Sequence, residues 1–138
     1  GELGAWAWMG GALAEVVAAQ PWSVEVDAVV PVPATWRARL TRGANPAALL
    51  GKAVASRLGK PMWSWLSRCH ARPQVGLGRR ERLANAESAF ALRPGAKPGG
   101  LALLLVDDVM TTGATVDVCA RTLKAAGART VDVAMAAR

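Results

Sequence analysis

Two adjacent aspartates followed by a cluster of threonines form the stretch of this sequence best suited to chemistry. Asp107 and Asp108 come directly after the apolar residues 101–106, and three threonines surround Gly113 within residues 111–115. Ionised carboxylates only accept hydrogen bonds, so an adjacent pair suits two donors such as the cis hydroxyls of a ribose. The threonine hydroxyls, the backbone N–H groups around the glycine and the amino end of a following helix together suit a phosphate. The stretch therefore predicts a site for ribose 5-phosphate.

Two other interpretations of the acid pair are less complete. A solvated acidic loop after a strand, or the acid pair of a phospho-acceptor receiver domain, would also place two carboxylates here. Neither needs the ordered Thr-Thr-Gly-x-Thr that follows the acids. Both therefore explain only part of the pattern.

The elements that position this stretch are predicted outward from residues 101–106. Six consecutive apolar residues are too few for an ordinary helix and are typical of a strand buried on both faces of a parallel sheet. Residues 114–126 are predicted to be a helix that ends at Gly127, and residues 130–135 to be a last strand. In open α/β sheets, ligands bind beyond the carboxyl ends of the strands, where the acid pair lies.

The first half of the chain has the same order of strand, loop and helix. Residues 3–19 predict a helix, and residues 26–30 predict a strand that ends at Pro31-Val32-Pro33. Residues 46–58 predict a helix with Asn45 as its cap and Gly59 as its terminator. Further strands are predicted at residues 62–66, with Trp63 and Trp65 in the core, and at residues 88–92. This order predicts an α/β fold, a mainly parallel sheet with helices on both faces.

The length of 138 residues predicts a single domain, residues 1–138, in which residues 1–25 are a helical lead-in. The apolar residues 3–17 include Glu15 and are followed by Gln20-Pro21, so neither a signal peptide nor a membrane span is predicted. We therefore expect a cytoplasmic location and no contact with membranes. Cys69 and Cys119 are isolated and the chain has one histidine, so neither a structural zinc site nor a disulfide framework is predicted.

The positive charge is concentrated in one section. Residues 36–82 hold eleven Lys and Arg and the single acid Glu81, a net charge of +10 against +7 for the whole chain. By charge alone, this section suits a polyphosphate or a nucleic acid equally well. Within it, residues 67–86 are rich in arginine and lack a clear period, which indicates a functional loop.

Residues 106–115 resemble the 5-phosphoribosyl-1-pyrophosphate (PRPP) signature of type I phosphoribosyltransferases. Further matches narrow the resemblance to the ComF (competence protein F) family and cover about residues 26–138. These matches are Val30-Pro31-Val32-Pro33, Arg42-Gly43-x-Asn45, Arg72-Pro73-Gln74, Arg79, Glu81-Arg82, Asn85, Phe90 and Ala137-Arg138. Pro46 departs from the family, which often has a glutamine there. ComF proteins commonly carry a cysteine-rich zinc module ahead of this domain, and none is present here, so the resemblance implies a shortened chain.

The resemblance implies the type I phosphoribosyltransferase fold and a site for PRPP with Mg²⁺, which is held through PRPP near the acid pair rather than by dedicated protein ligands. The implied PRPP-binding residues are Asp107, Asp108, Val109, Met110, Thr111, Thr112, Gly113, Ala114 and Thr115. The loop after the first strand would face the pyrophosphate, and residues 67–86 resemble the flexible loop that closes over PRPP. The candidate catalytic residues, suited to stabilise departing pyrophosphate, are Arg39, Arg42, Arg72 and Arg82, and the candidates in the flexible loop are Gln74, Arg79 and Asn85.

The implied activity is transfer of a 5-phosphoribosyl group from PRPP to an acceptor, with release of pyrophosphate, as in nucleotide metabolism. Purine-salvage members usually have an acid at the position of Thr111, so a purine base is a disfavoured acceptor and the acceptor stays open. A non-catalytic PRPP-binding or nucleotide-binding protein linked to competence and DNA uptake is the alternative. Binding of single-stranded DNA by the basic section is a third hypothesis. The oligomeric state is left open.

Overall fold

The computed structural model describes residues 2–34, 45–69, 89–109 and 113–137. Three helices, five strands and one short 3-10 helix make up this part of the chain. The helices are α1 (Glu2–Ala18), α2 (Pro46–Leu58) and α3 (Ala114–Ala125), with the 3-10 helix at Pro21–Glu25, and the strands are β1 (Ala28–Pro31), β2 (Leu66–Arg68), β3 (Phe90–Leu92), β4 (Ala102–Val109) and β5 (Thr130–Ala137).

The main sheet has β4 at its centre. Its strand order is β1-β4-β5, and both pairings are parallel. β4 alternates its side chains between two cores: Leu103 and Leu105 pack with α3, and Leu104 and Val106 pack with α1 and α2. The predicted α/β architecture, a mainly parallel sheet with helices on both faces, is therefore confirmed. None of the helices in the described ranges is both long enough and apolar enough to cross a membrane.

The start of α2 has the predicted capping. The Asn45 side chain accepts a hydrogen bond from the Ala47 N–H at 3.1 Å, and Pro46 occupies the first turn, where no N–H is needed. Gly59 ends the helix in the left-handed region at φ 68°, a conformation that a side chain would oppose.

The predicted strand at residues 62–66 is wrong in position. Met62 forms one parallel bridge with Val29, and the regular strand β2 begins only at Leu66, in an antiparallel pair with β3. Trp63 is 47% exposed instead of lying in the core, and it stacks on Trp65 with ring centroids 6.0 Å apart. The Trp63 N–H still donates to the Val29 carbonyl at 2.8 Å, and Trp65 is partly buried against the core.

β1 ends at Pro31, within the proline segment where the strand was predicted to end. Pro31 is the last residue of β1 and is the register partner of Val106. The next ladder bond to β4 comes from the Val32 N–H, which donates to the Val106 carbonyl at 2.9 Å. Alternate N–H groups of a strand point to opposite neighbours, so a proline at position 31 costs β4 no donor.

Close packing joins α1 to α2. A Cβ atom added at Gly10 would lie 3.0 Å from the Cβ of Ala53, closer than carbon atoms normally approach. At the neighbouring Gly11, an added Cβ would meet nothing within 4 Å. Gly10 therefore permits the helix contact, whereas Gly11 faces open space.

We predict that Gly10→Val lowers the free energy of unfolding by about 1–3 kcal/mol, because the added methyl groups force α1 away from α2. Gly11→Val is the matched control, since it makes the same change one position along the same helix, and it should stay within about 0.5 kcal/mol of the parent chain. Urea unfolding of the three proteins checks this. Equal losses in the two variants would contradict the helix contact.

Candidate functional site

A cleft opens at the carboxyl end of the central strand β4. Its volume is about 210 Å³. Its walls come from the segment after β1, the start of α2, the end of β2, the end of β4 and the first turn of α3. The lining residues are Val32, Pro33, Ala34, Asn45, Pro46, Arg68, Asp107, Asp108, Val109 and Thr115. Parallel strands with helices on both faces commonly bind ligands at this edge.

Asn45 connects two walls of the cleft. Its Oδ1 accepts from the Ala47 N–H and caps α2, and its Nδ2 donates to the Val32 carbonyl at 3.1 Å. The helix start is thereby tied to the segment that continues β1. The sequence pattern indicated the cap and gave no sign of the second bond.

The acid pair lies within the last residues of β4. Asp107 is only 9% exposed, and its Oδ1 accepts the Asp108 N–H at 2.8 Å. Burial, together with the neighbouring Asp108, raises the pKa of Asp107 to about 6, although Arg68 acts in the opposite direction. Asp107 is therefore a carboxylate that gains from donors or cations reaching it through the cleft.

The first turn of α3 forms another wall of the cleft. Gly113 is its cap residue in the left-handed region at φ 80°, and its carbonyl accepts the Asp117 N–H at 2.9 Å. Thr115 lines the cleft together with Asp107 and Asp108. The structure thus brings together the two halves of the sequence motif, the acids and the amino end of the helix.

Arg68 lines the cleft, although it was not among the candidate catalytic residues. It belongs to residues 67–86, predicted as a functional loop, but the structure places it at the end of β2. Its guanidinium carbon lies 4.6 Å from the centroid of the Phe90 ring, a cation–π contact across the β2–β3 hairpin. The strand predicted at residues 62–66 was out of position, so the pairing of residue 68 with residue 90 could not be derived. A correct hairpin register would have indicated it.

Cys119 lies in α3 below the cleft and is fully buried. Burial raises the pKa of its thiol to about 12, so it stays protonated at neutral pH. Cys69 is exposed, and both cysteines are free. In the described ranges no three His, Cys, Asp or Glu side chains cluster as a metal site would require.

Many predicted site residues lie outside the described part of the chain. Met110, Thr111 and Thr112 of the PRPP motif belong to this group. The same holds for the candidate catalytic residues Arg39, Arg42, Arg72 and Arg82, and for Gln74, Arg79 and Asn85 of the predicted flexible loop. Their roles remain predictions.

We predict that the stability of the protein falls as the pH rises through about 6, because of Asp107. A carboxyl whose pKa is raised from 3.8 to about 6 by folding holds its proton more tightly in the folded state, so its stabilising contribution is present at low pH and is lost above about 6. The carboxamide of Asp107→Asn does not titrate in this range, so its contribution to stability does not change with pH. Between about pH 4.5 and about pH 7.5 the unfolding free energy of the parent should fall relative to the variant by about 1–3 kcal/mol. Urea unfolding at both pH values measures this, and a constant difference would contradict the burial effect.

Comparison with known proteins gave relatives in both sequence and structure, although no family model matches the chain. The DNA utilization protein YhgH from Salmonella typhi and the protein of that name from Salmonella typhimurium are each 38% identical over 112 residues, which cover 78% of this chain and 47% of the relative. The chain thus spans about half the length of the curated relatives it matches.

The solved structures agree on the fold. The glutamine PRPP amidotransferase from B. subtilis, complexed with ADP and GMP, superimposes with a TM-score of 0.67 at 21% identity over 96% of this chain and 26% of that one. The adenine phosphoribosyltransferase from Leishmania tarentolae gives 0.52 at 18% identity over 91% of this chain and 52% of that one. From the sequence relatives and this shared fold, the resemblance stated above is confirmed: the chain is a ComF-family relative of the DNA utilization proteins and has the type I phosphoribosyltransferase fold.

Proposed function

We propose that this chain binds PRPP together with Mg²⁺ and transfers its 5-phosphoribosyl group to an acceptor, with release of pyrophosphate. One observation carries the proposal: Asp107 and Asp108, at the end of the central strand, share a cleft with Thr115 in the first turn of α3. Acceptors for a diol and a seat for an anion thus face the same space. The fold shared with phosphoribosyltransferases supports this assignment.

Each half of the cleft has a role in binding the sugar phosphate. The Asp107 and Asp108 carboxylates accept hydrogen bonds from the 2′ and 3′ hydroxyls of the ribose. The 5-phosphate lies at the amino end of α3, where the Thr115 hydroxyl, the backbone N–H groups and the helix dipole favour an anion. Gly113 supports this seat because its backbone turns through positive φ and it lacks a Cβ.

The reaction breaks the bond between the anomeric carbon and the pyrophosphate oxygen, which leaves with the electron pair, and forms a bond from that carbon to the acceptor. Positive charge builds on the sugar in the transition state. Carboxylates beneath the ribose stabilise that charge, and cations near the pyrophosphate stabilise the leaving group. Arg39, Arg42, Arg72 and Arg82 remain our candidates for the second task, with closure by the loop of Gln74, Arg79 and Asn85 excluding water.

The residues present fit a Mg²⁺ ion that arrives with its ligand. Mg²⁺ prefers oxygen ligands, retains several waters and is commonly held by one or two carboxylates plus substrate phosphates. Asp107 and Asp108 offer such carboxylates at the cleft. Bound there, the ion would neutralise charge on the pyrophosphate.

A second candidate function is binding of PRPP or a nucleotide without catalysis, in a protein that serves DNA utilization or uptake. The name of the curated relatives favours it. Turnover separates the two functions: Mg²⁺-PRPP incubated with a panel of acceptors should release pyrophosphate if the chain is an enzyme. Binding of PRPP with no release across the panel would favour the second candidate.

Nucleic acid binding by the basic section makes a different prediction. It should weaken steeply with salt and survive removal of the acid pair, because phosphate contacts to lysine and arginine would carry it. PRPP binding should be lost with the acids. One variant, Asp108→Ala, therefore tests both hypotheses.

We predict that Asp108→Ala weakens PRPP affinity roughly 10-fold to 100-fold, because a charge-assisted hydrogen bond to the ribose, worth about 1.5–3 kcal/mol, is lost. Asp132→Ala on β5 is the matched control, since it removes the same charge away from the cleft lining and should leave affinity unchanged. Calorimetric titration with Mg²⁺-PRPP measures both. Unchanged affinity in Asp108→Ala would remove the ribose assignment.

We predict that Gly113→Val abolishes the binding of ribose 5-phosphate. A β-branched side chain opposes positive φ and also occupies the phosphate seat. Gly95, in the turn before β4, has φ 88° and open space around an added Cβ, so Gly95→Val carries the same backbone strain away from the cleft. Both variants should lose about 1–2 kcal/mol of stability. Only Gly113→Val should lose ligand, and normal binding by that variant would mean that the phosphate lies elsewhere.

A further inference from the structure

Among the described residues that line the cleft, Arg68 is the one cationic side chain. The function proposed above gives it no role. It shares the cleft with Asp107, Asp108 and Thr115. No ion pair joins its guanidinium to a carboxylate in the described part of the chain. A guanidinium carries five N–H donors in a planar fork, and phosphate oxygens match that geometry in pairs. Arg68 is therefore equipped to bind an anion that enters the cleft.

The hairpin holds this guanidinium in place. Arg68 is the register partner of Phe90 in the β2–β3 pair, and the ladder continues with a 2.6 Å bond from the Cys69 N–H to the Ala89 carbonyl. Phe90 is 8% exposed and packs in the core that includes α3. Stacking on a fixed ring restricts a long side chain before any ligand arrives, which reduces the entropy lost on binding.

Arg68 and the phosphate seat belong to different elements that line the same cleft. PRPP has two anionic groups, a 5-phosphate and a 1-pyrophosphate, on opposite sides of the ribose ring. The amino end of α3 with Thr115 accounts for one anion, and Arg68 belongs to a different element, the β2–β3 hairpin. Two anion-binding groups from separate elements that share one cleft with the carboxylates match a ligand with two anionic groups.

We propose that Arg68, which lies at the end of β2 and at the start of the predicted flexible loop of residues 67–86, binds the pyrophosphate of PRPP. The proposal rests on the proposed function and names one more contact within its site. Arg68 then selects a ribose 5-phosphate that carries a 1-pyrophosphate over one that carries a hydroxyl. It is a binding residue in the ground state and stabilises the same group as it leaves.

The test compares two ligands on the 138-residue chain, Mg²⁺-PRPP and ribose 5-phosphate, by calorimetric titration. Arg68→Met should weaken PRPP binding roughly 10-fold to 100-fold, because charge-assisted bonds to the pyrophosphate are lost, and should change ribose 5-phosphate binding less than about two-fold. The PRPP affinity of Arg68→Lys should lie between those of Arg68→Met and the parent, because an ammonium group retains the charge but lacks the planar fork of donors. Phe90→Leu should weaken PRPP binding by a smaller factor and leave ribose 5-phosphate binding nearly unchanged, because it releases the Arg68 guanidinium without removing it.

Arg93→Met is the matched control. Arg93 follows β3 on the same hairpin, its Nε donates to the Leu66 carbonyl at 3.3 Å, and it does not line the cleft. The substitution removes the same charge from the same hairpin. Because Arg93 lies outside the cleft lining, the affinity for both ligands should stay unchanged. Thermal unfolding of each variant establishes whether it is folded at the titration temperature. If Arg68→Met is not folded, Arg68→Lys provides the test.

The outcomes separate this proposal from the one on which it rests. Failure of the parent chain to bind ribose 5-phosphate would overturn the ribose phosphate site itself. If the parent binds both ligands and Arg68→Met weakens both equally, or weakens neither, the pyrophosphate contact alone is overturned. Selective loss of PRPP in Arg68→Met, with Arg93→Met unchanged, establishes the contact.

Discussion

Burial of β4 on both faces is the constraint on which the rest of the structure depends. Residues 102–106 are almost completely inaccessible, and their side chains alternate between two cores. The strand can be stable only if helices cover both of its faces and parallel neighbours satisfy its backbone groups. The same strand ends in the two aspartates of the cleft. The cleft begins where the apolar run stops, and Asp107 lies so close to the core that burial raises its pKa.

The parts of the fold that follow from local rules were predictable from the sequence. An uninterrupted apolar run indicated the central strand, and Asn45, Pro46 and Gly59 marked the bounds of α2. The hairpin was not predictable in the same way. Residues 62–66 have the composition of a buried strand, and tertiary pairing decides where a short strand begins. Met62 bridges to β1, and the regular pairing then starts at Leu66 with a different partner.

The candidate site likewise has one part that the sequence predicted and one part that it did not. The acids and the amino end of α3 are contiguous in sequence, so the motif itself indicated that they would meet. Arg68 enters the cleft through the register of β2 with β3 and through its contact with Phe90, both of which join residues far apart in the chain. Chemistry assembled by cross-strand pairing leaves no spacing pattern in the sequence. The motif therefore predicted the sugar phosphate half of the site. The arginine-rich residues 67–86 indicated a basic segment, but not which of its arginines would line the cleft.

The Asn45 side chain limits how this site can change over evolution. Both ends of its amide are in use, since Oδ1 receives a hydrogen bond from the start of α2 and Nδ2 gives one to Val32. Aspartate has the same shape and would keep the cap, but its second oxygen would face a carbonyl oxygen and repel it. Serine or threonine would cap the helix and fall short of the second partner. A position that serves two roles with opposite hydrogen-bond polarity can accept few residues, so we expect relatives to vary the rest of the cleft wall more readily than this amide.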